Sequence, residues 1–278
     1  MVKSANTRPT RSRPALTRSA LFLLAFLFTS TPAAQTPTCA PDPVAVAAAT
    51  RALDDVQRRW APAQATVAVL DIARDCVIAE QHRGRDLRTF PAASTLKPLV
   101  LAAALNDGLP PDAVGPDVIP RSSNEGMQPA LDHLGPEGLD QWGERLGWSG
   151  SVVDHSALTT PAELARAYAV IARRGRDGAG EAVLSSRAAE AVHWLLRTAV
   201  GPKGTGRAAL ESGVPAAGKT GTALLAGDAG TRANFVGYAP ADAPRWVVLV
   251  TVESPSGGTW GGQVAAPAFA AVVGALER

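Results

Sequence analysis

Residues 217–223 read Ala-Gly-Lys-Thr-Gly-Thr-Ala and have the alternating pattern of a β-strand. In a strand, Lys219 and Gly221 share one face, whereas Thr220 and Thr222 share the other. A lysine beside threonine hydroxyls can bind a carboxylate, and a strand glycine permits the close approach of a substrate backbone. We therefore predict a substrate-binding strand. Taken alone, the same stretch also fits a surface turn with a solvated lysine.

The same segment also matches a nucleotide-binding pattern. Residues 213–220 read GVPAAGKT and fit the P-loop form G-x-x-x-x-G-K-[ST]. A P-loop requires a strand before it and a helix after it, so that amides at the helix N-terminus face phosphate. Residues 207–212 are a poor strand, and Gly221-Thr222 is a poor helix start. The sequence therefore favours the binding strand.

Further β-prone runs lie towards both ends of the chain, with helical patterns between them. The predicted strands are Thr66–Leu70, Cys76–Ala79, Ala217–Leu225, Ala233–Tyr238 and Trp246–Val252. The predicted helices are Val44–Trp60, Ser94–Leu105, Pro161–Arg174 and Ala266–Glu277. This order predicts an α+β fold, with a mostly antiparallel sheet built from both chain ends, flanking helices and a helical lobe within residues 109–207.

A serine and a lysine open the predicted helix at residue 94, where the sequence is Ser94-Thr95-Leu96-Lys97. A serine hydroxyl is a weak nucleophile that requires a base. Residues three apart share a helix face, so Lys97 can reach Ser94. A desolvated lysine can lose its proton and act as that base. Ser-x-x-Lys also occurs by chance, as a capping serine beside a solvated lysine.

A third short motif, Ser122-Ser123-Asn124, lies between the other two. Its outer side chains can face one site, where Ser122 passes a proton and Asn124 bonds a substrate amide and the lysine. By itself the motif is more often a turn. In the order Ser-x-x-Lys, Ser-x-Asn, Lys-Thr-Gly, however, the three motifs are the signature of serine β-lactamases and penicillin-binding enzymes.

The resemblance extends beyond these motifs. From Phe90 onward the chain is similar to the class B penicillin-binding transpeptidases of cell-wall synthesis. The matching segments are SSNEGM (122–127), LGPE (134–137), TPAELARAY (160–168), AGKTGTA (217–223), NFVGYAP (234–240) and GGQVAAP (261–267). This resemblance implies a β-lactamase/transpeptidase-like fold.

The resemblance also implies a role for each motif. Ser94 would be acylated by the D-Ala-D-Ala end of a peptidoglycan stem peptide, or by a β-lactam, with Lys97 as base. Ser122 and Asn124 would complete the proton relay and hold the substrate amide. Residues 219–222 would bind the terminal carboxylate. Backbone amides of Ser94 and Thr222 would form the oxyanion hole, and neither metal nor organic cofactor would be needed.

The function that the resemblance implies is a peptidoglycan D,D-transpeptidase, with other cell-wall synthesis proteins as possible partners. Hydrolysis of the same acyl-enzyme, by a D,D-carboxypeptidase or a β-lactamase, is an alternative. A catalytically inactive module that binds wall peptides or penicillin is another. Hydrolysis requires a poised water and a base, and the sequence does not rank the carboxylates of Glu125, Glu137, Glu144 and Glu163 for that role.

The N-terminus predicts export. Five basic residues precede the apolar run Ala20–Phe28, and small residues and Pro32 follow it. This is the order of a secretory signal, and the run is shorter than the roughly 20 residues of a membrane span. We predict a signal peptide at 1–34, a linker at 35–43 and one domain at 44–278, in the periplasm or cell envelope. An uncleaved anchor that keeps the protein near the membrane is the alternative.

Composition narrows the function classes. With 46% hydrophobic and 19% charged residues, the 278-residue chain suits a globular protein. Its net charge of +2 gives no support to nucleic-acid binding. The four histidines show no metal-ligand spacing. Cys39 and Cys76 either form one disulfide in an oxidising compartment or remain free thiols.

Overall fold

The structure is a computed structural model that describes residues 39–85, 87–152, 157–225, 230–254 and 258–278. The predicted signal peptide, residues 1–34, lies outside these described residues, as does the start of the predicted linker. Within the described part of the chain, the helices are too short or too polar to cross a lipid bilayer.

A five-stranded sheet forms the centre of the domain. Its strands are β1 (Gln64–Asp71), β2 (Cys76–Arg83), β5 (Ala217–Leu224), β6 (Thr231–Ala239) and β7 (Trp246–Ser254). They lie in the order β2-β1-β7-β6-β5, and each neighbouring pair is antiparallel. A separate two-stranded pair joins β3 (Phe90–Pro91) to β4 (Leu158–Thr159). The predicted sheet, with strands from both chain ends, is confirmed.

Helices cover both faces of this sheet. They are α1 (Pro43–Trp60), α2 (Lys97–Asn106), α3 (Gln128–Leu146), α4 (Pro161–Ala172), α5 (Ser186–Ala199) and α6 (Ala265–Leu276). The first and last pack on one face, against Val248 and Val250, whereas α4 covers the other face with Val247 and Leu249. Alternate residues of one strand thus enter two cores. The predicted α+β class is confirmed, and α2 to α5 form the helical lobe.

The predicted helix at 94–105 differs from the structure at its start. Residues Ala93–Leu96 form a 3₁₀ turn, and the α-helix begins only at Lys97. The reason is local, because the amide and hydroxyl of Thr95 both bond the carbonyl of Ala92, three residues earlier. Pro98 then occupies the first turn of α2, where its missing N–H has no cost.

Cys39 and Cys76 form a disulfide, which decides between the two alternatives left open by the sequence. The bridge joins Cys39, four residues before the start of α1, to Cys76, the first residue of β2. Beside it, the Cys39 amide bonds the Val77 carbonyl at 3.3 Å and the Asp42 amide bonds the Ile78 carbonyl at 2.8 Å. Residues 39–42, which lie within the predicted linker, are therefore fastened along β2.

We expect the disulfide to contribute substantially to stability, since it closes a long loop, with a sequence separation of 37, in the unfolded chain. The double variant Cys39→Ser/Cys76→Ala should unfold with a free energy lower by roughly 2–4 kcal/mol. Urea titration of the oxidised protein and the variant measures the difference. A reductant should destabilise the wild type and leave the variant unchanged, and equal stabilities of the two oxidised proteins would contradict the prediction.

Candidate active site

Ser94 lies in the 3₁₀ turn between β3 and α2, which we call the nucleophile turn (Ala93–Leu96). Ala93 adopts φ 51°, a left-handed conformation that costs a non-glycine residue of order 1–3 kcal/mol. Such strain persists only where neighbouring contacts fix the backbone. Here the Ala92 carbonyl accepts hydrogen bonds from the Thr95 amide at 3.3 Å and the Thr95 hydroxyl at 2.5 Å.

Two buried side chains from distant parts of the sequence hold the same turn. The side-chain amide of Asn234 donates to the carbonyls of Pro91 at 3.0 Å and Ala92 at 3.4 Å, and its oxygen accepts from Thr251 at 2.7 Å. The Tyr168 hydroxyl donates to the Thr95 carbonyl at 2.8 Å. Sequence reasoning did not select either residue as part of the site, although both lie in segments that resemble the transpeptidase family and Asn234 is a polar residue in an apolar strand.

Lys97 joins the first motif to the second. Its side chain is 8% exposed, and its ammonium donates to the Ser122 carbonyl at 2.6 Å, the Asn124 side-chain oxygen at 2.5 Å and the Ser122 hydroxyl at 3.4 Å. Ser122 itself has φ 60°, a second left-handed non-glycine residue. Burial lowers the pKa of Lys97 from 10.5 to about 8. A neutral amine is therefore accessible near physiological pH.

Lys219 lies within β5 and is fully buried. Its ammonium donates to the Thr220 carbonyl at 2.8 Å and lies 3.5 Å from the Thr220 hydroxyl. Burial, and secondly the charge of Lys97, lower its pKa from 10.5 to about 7. A strand rather than a helix continues from Lys219, so the P-loop interpretation is wrong.

Gly221 allows β5 to lie directly against the nucleophile turn. A Cβ atom at this position would stand 3.0 Å from the Ala92 carbonyl oxygen, 3.0 Å from a Thr95 methyl carbon and 3.2 Å from the Thr95 nitrogen. We predicted that this glycine permits the close approach of a substrate backbone. The structure shows that the chain around Ser94 is the close neighbour of its Cβ position. Gly221 also lines a cavity beside Ser94, and the approach of a substrate backbone stays a prediction.

Two adjoining cavities meet at Ser94 and together form the cleft. One is lined by Lys97 and Asn124 and by apolar side chains, among them Val100, Met127 and Leu131. The other is lined by a larger polar set: Ser122, Asn124, Thr205, Thr220, Gly221, Thr222 and Trp260. The structure therefore brings the predicted site residues together, except that Lys219 lies beneath the cleft and lines neither cavity.

This arrangement is suited to nucleophilic catalysis. A half-buried serine hydroxyl, which has no hydrogen-bond partner among the described residues, opens into both cavities beside a lysine whose pKa is lowered. Serine activated by a neighbouring base forms covalent acyl intermediates. Of the side chains that the structure describes, no cluster of His, Cys, Asp and Glu is suited to hold a metal ion.

The four glutamates considered as bases for hydrolysis lie elsewhere. None of Glu125, Glu137, Glu144 and Glu163 lines either cavity in the described part of the chain. Glu163 caps α4, where its carboxylate accepts from the Thr160 amide at 3.1 Å. The described walls of the cleft thus offer no glutamate to activate water beside Ser94.

Comparison with known proteins gives consistent results. The profile of the penicillin binding protein transpeptidase domain matches residues 116–274, more than half of the chain, with Ser94 and Lys97 just before the matched region. A probable peptidoglycan D,D-transpeptidase PbpC of Pseudomonas aeruginosa is 33% identical over 206 residues, which are 58% of this chain and 36% of that protein. The peptidoglycan D,D-transpeptidase FtsI of Escherichia coli is 32% identical over 141 residues, 45% of this chain and 24% of that protein.

Solved structures agree over most of the chain. The transpeptidase domain of FtsI4 D,D-transpeptidase from Legionella pneumophila superposes with a TM-score of 0.75 at 25% identity, covering 88% of this chain and 100% of that domain. The TP domain of Burkholderia pseudomallei penicillin-binding protein 3 gives a TM-score of 0.74, covering 88% of this chain and 97% of that one. The chain thus spans about a third or less of its curated relatives but nearly all of these isolated domains.

We predict that Gly221→Ala displaces the nucleophile turn, because the new methyl group would meet the backbone of Ala92 and Thr95. Overpacking of this kind costs roughly 1–3 kcal/mol of unfolding free energy. Chemical denaturation measures that loss, and amide hydrogen exchange at Thr95 reports the local displacement. Gly115→Ala is the matched control, because a Cβ atom there meets nothing within 4 Å. Equal effects of the two substitutions would refute the close-packing argument.

Proposed function

Because the chain belongs to the penicillin binding protein transpeptidase domain family, we propose that it is a peptidoglycan D,D-transpeptidase that acts through a serine acyl-enzyme and binds β-lactams. One observation carries the proposal, namely the convergence of three distant segments on one cleft. Lys97 bonds Ser122 and Asn124 directly, and the same cleft contains Ser94 and the threonines of β5.

The proposed acylation step transfers one proton from Ser94. The neutral amine of Lys97 accepts the proton while the serine oxygen attacks the carbonyl carbon of the penultimate D-Ala. Backbone N–H groups of Ser94 and Thr222 stabilise the tetrahedral oxyanion, where each such donor is worth roughly 2.7–4 kcal/mol. As the peptide bond breaks, Ser122 passes its proton to the leaving amine of the terminal D-Ala and receives the proton that Lys97 took from Ser94, so Lys97 is neutral again. An ester to Ser94 remains.

Transpeptidation completes the cycle. The amine of a second stem peptide attacks the ester carbonyl, its proton returns through Ser122 and Lys97, and the Ser94 hydroxyl is restored. The edge of the sheet helps to bind extended peptides, because among the described strands β5 pairs only with β6, and residues of β5 line the cleft. An extended peptide can add to such an edge through main-chain hydrogen bonds.

Protonation of both Lys97 and Lys219 is disfavoured near neutral pH, and the substrate carboxylate can determine which of the two keeps its proton. Both are buried, and the charge of Lys97 lowers the pKa of Lys219, so near neutral pH one proton is favoured over two. A carboxylate bound beside β5 attracts that proton to Lys219, since an opposite charge nearby favours the charged form. Lys97 is then the neutral member of the pair. Binding of the correct substrate thereby prepares the base.

The walls of the cleft favour transfer to an amine over hydrolysis. The cavity between Ser94 and α3 is largely apolar, with Val100, Met127 and Leu131 among its described lining residues. Hydrolysis by water requires a positioned base, and the four glutamates proposed from sequence lie outside the cleft. We therefore place D,D-carboxypeptidase and β-lactamase activity second to transpeptidation.

We also propose that the protein works outside the cytoplasm, in the periplasm or cell envelope. The predicted signal at 1–34 supports export, and the disulfide Cys39–Cys76 supports an oxidising compartment. Peptidoglycan stem peptides occur there.

Labelling with a fluorescent penicillin tests the proposed nucleophile. The wild type should form a stable covalent adduct, and Ser94→Ala should abolish it. Ser186→Ala is the matched control, since Ser186 is exposed at the start of α5, outside both cavities. Mass spectrometry locates the adduct, and its decay rate gives the fate of the acyl-enzyme. Rapid turnover would favour a β-lactamase, and a folded wild type without label would contradict the proposal in favour of an inactive module.

The pH dependence of acylation tests the proposed base. Below about pH 8 Lys97 is protonated and cannot accept the proton of Ser94, so the second-order acylation rate should rise with pH through that value. With benzylpenicillin, whose carboxylate also requires a charged Lys219 with a pKa of about 7, the reactive form carries one proton on the lysine pair, so the rate should pass through a maximum between about pH 7 and 8. With the methyl ester, which does not require the charge of Lys219, the rate should rise near pH 8 to a plateau. Lys203→Met, at an exposed lysine, is the control. A methyl ester profile without the rise near pH 8 would exclude Lys97 as base.

A further inference from the structure

Thr205 lies in the loop between α5 and the following 3₁₀ helix, Arg207–Ser212, and contacts both later motif segments. Its amide donates to the Pro120 carbonyl at 3.2 Å, two residues before Ser122. Its hydroxyl lies 2.7 Å from the Thr220 hydroxyl on β5. None of the three sequence motifs includes this residue. The loop therefore bridges the second and third motifs.

Close packing fixes Thr205 from a third direction. A Cβ atom on Gly262 would stand 2.2 Å from the Thr205 carbonyl oxygen, so only glycine fits at position 262 without a backbone shift. Despite these contacts the Thr205 residue is exposed, and it lines the same cavity as Ser94 and Thr222. A rigidly held backbone thus presents a hydroxyl to the cleft.

The geometry of the hydroxyl pair allows Thr205 to donate into the cleft. The Lys219 ammonium lies 3.5 Å from the Thr220 hydroxyl, and the hydroxyl oxygens of Thr205 and Thr220 are 2.7 Å apart, where either can be the donor. When Thr220 donates to the Thr205 oxygen, the proton of Thr205 is available to a group in the cleft. A carboxylate bound there only accepts hydrogen bonds and therefore favours this direction.

We propose that Thr205 is a binding residue for the terminal carboxylate of the substrate, to which it donates a hydrogen bond from the wall of the cavity that Ser94 and Thr222 also line. The inference rests on the proposed function, because the carboxylate is that of the D-Ala terminus or of a β-lactam. Thr220, which is only 7% exposed, acts as the positioning residue that orients Thr205. Thr220 thereby connects the hydroxyl of Thr205, which lines the cleft, to the buried charge of Lys219, which does not.

Matched acid and ester probes test this role. Benzylpenicillin carries the carboxylate, and benzylpenicillin methyl ester lacks its charge. Thr205→Val removes the hydroxyl at nearly constant shape, so the second-order acylation rate with the acid should fall roughly 10- to 100-fold, as expected for one hydrogen bond to a charged group. The rate with the ester should stay nearly unchanged. Thr205→Ser should restore acylation by the acid.

Thr198→Val is the control for loss of a threonine hydroxyl, because Thr198 is exposed on α5 and its hydroxyl bonds, among the described residues, only the Trp194 carbonyl at 3.0 Å. It should leave both rates unchanged. Equal losses with acid and ester in Thr205→Val would show general damage and overturn the inference, as would no loss with either probe.

The failure of the proposed function has a different signature. A wild type that neither probe acylates contradicts that function. A binding measurement then tests whether Thr205 contacts the carboxylate. NMR titration of the Ser94→Ala protein with N-acetyl-D-alanyl-D-alanine and with its C-terminal amide measures the preference for the carboxylate. If the Ser94→Ala protein prefers the acid and the additional substitution Thr205→Val removes that preference, the inference is supported. If the preference remains with Thr205→Val, or if the Ser94→Ala protein binds acid and amide equally, the inference is overturned.

Discussion

The carbonyl oxygen of Ala92 is the point on which the cleft depends. It accepts hydrogen bonds from Thr95 and from the buried Asn234, and Gly221 packs against it with no side chain between. The strained conformation of Ala93 is therefore held by the sheet itself. This explains why the nucleophile lies in a 3₁₀ turn before the α-helix, because the extra bonds to Ala92 tighten the chain at that point.

Burial of two lysines is the second constraint. Desolvation penalises each charge, and the charge of Lys97 adds repulsion at Lys219, so the empty cleft disfavours two protons. Lys97 offsets part of this cost through short hydrogen bonds to Ser122 and Asn124. Among the described residues, Lys219 has only the carbonyl and the hydroxyl of Thr220 as hydrogen-bond acceptors. Its charge is thus the less well compensated of the two, so an anion nearby would stabilise it more.

The sequence predicts the strands of the five-stranded sheet and the helices α1, α2, α4 and α6, because each of these carries a local signal, whereas it places α3 and α5 only as part of a helical lobe. The prolines at 43 and 161 mark the first residues of α1 and α4, and the alternation in β5 to β7 gives strands within a few residues of those observed. The three predicted site motifs are equally local, since the residues of each motif lie within four positions of one another. The sequence could not predict which distant side chains hold these motifs in place. Asn234 and Tyr168 reach the nucleophile turn across the fold, over separations of 142 and 73 residues.

Gly221 shows that a motif can be recognised from sequence while the contacts that require its glycine are not. Its sequence context suggested room for a substrate, whereas its Cβ position is filled by the chain around Ser94. The same logic applies to Thr205, which no short motif includes, although it contacts Pro120 and Thr220. Residues that join motifs have no fixed spacing to them along the chain, because the fold alone sets their distance. A site assembled from three segments therefore depends on glycine contacts and buried polar bridges that only the tertiary structure reveals.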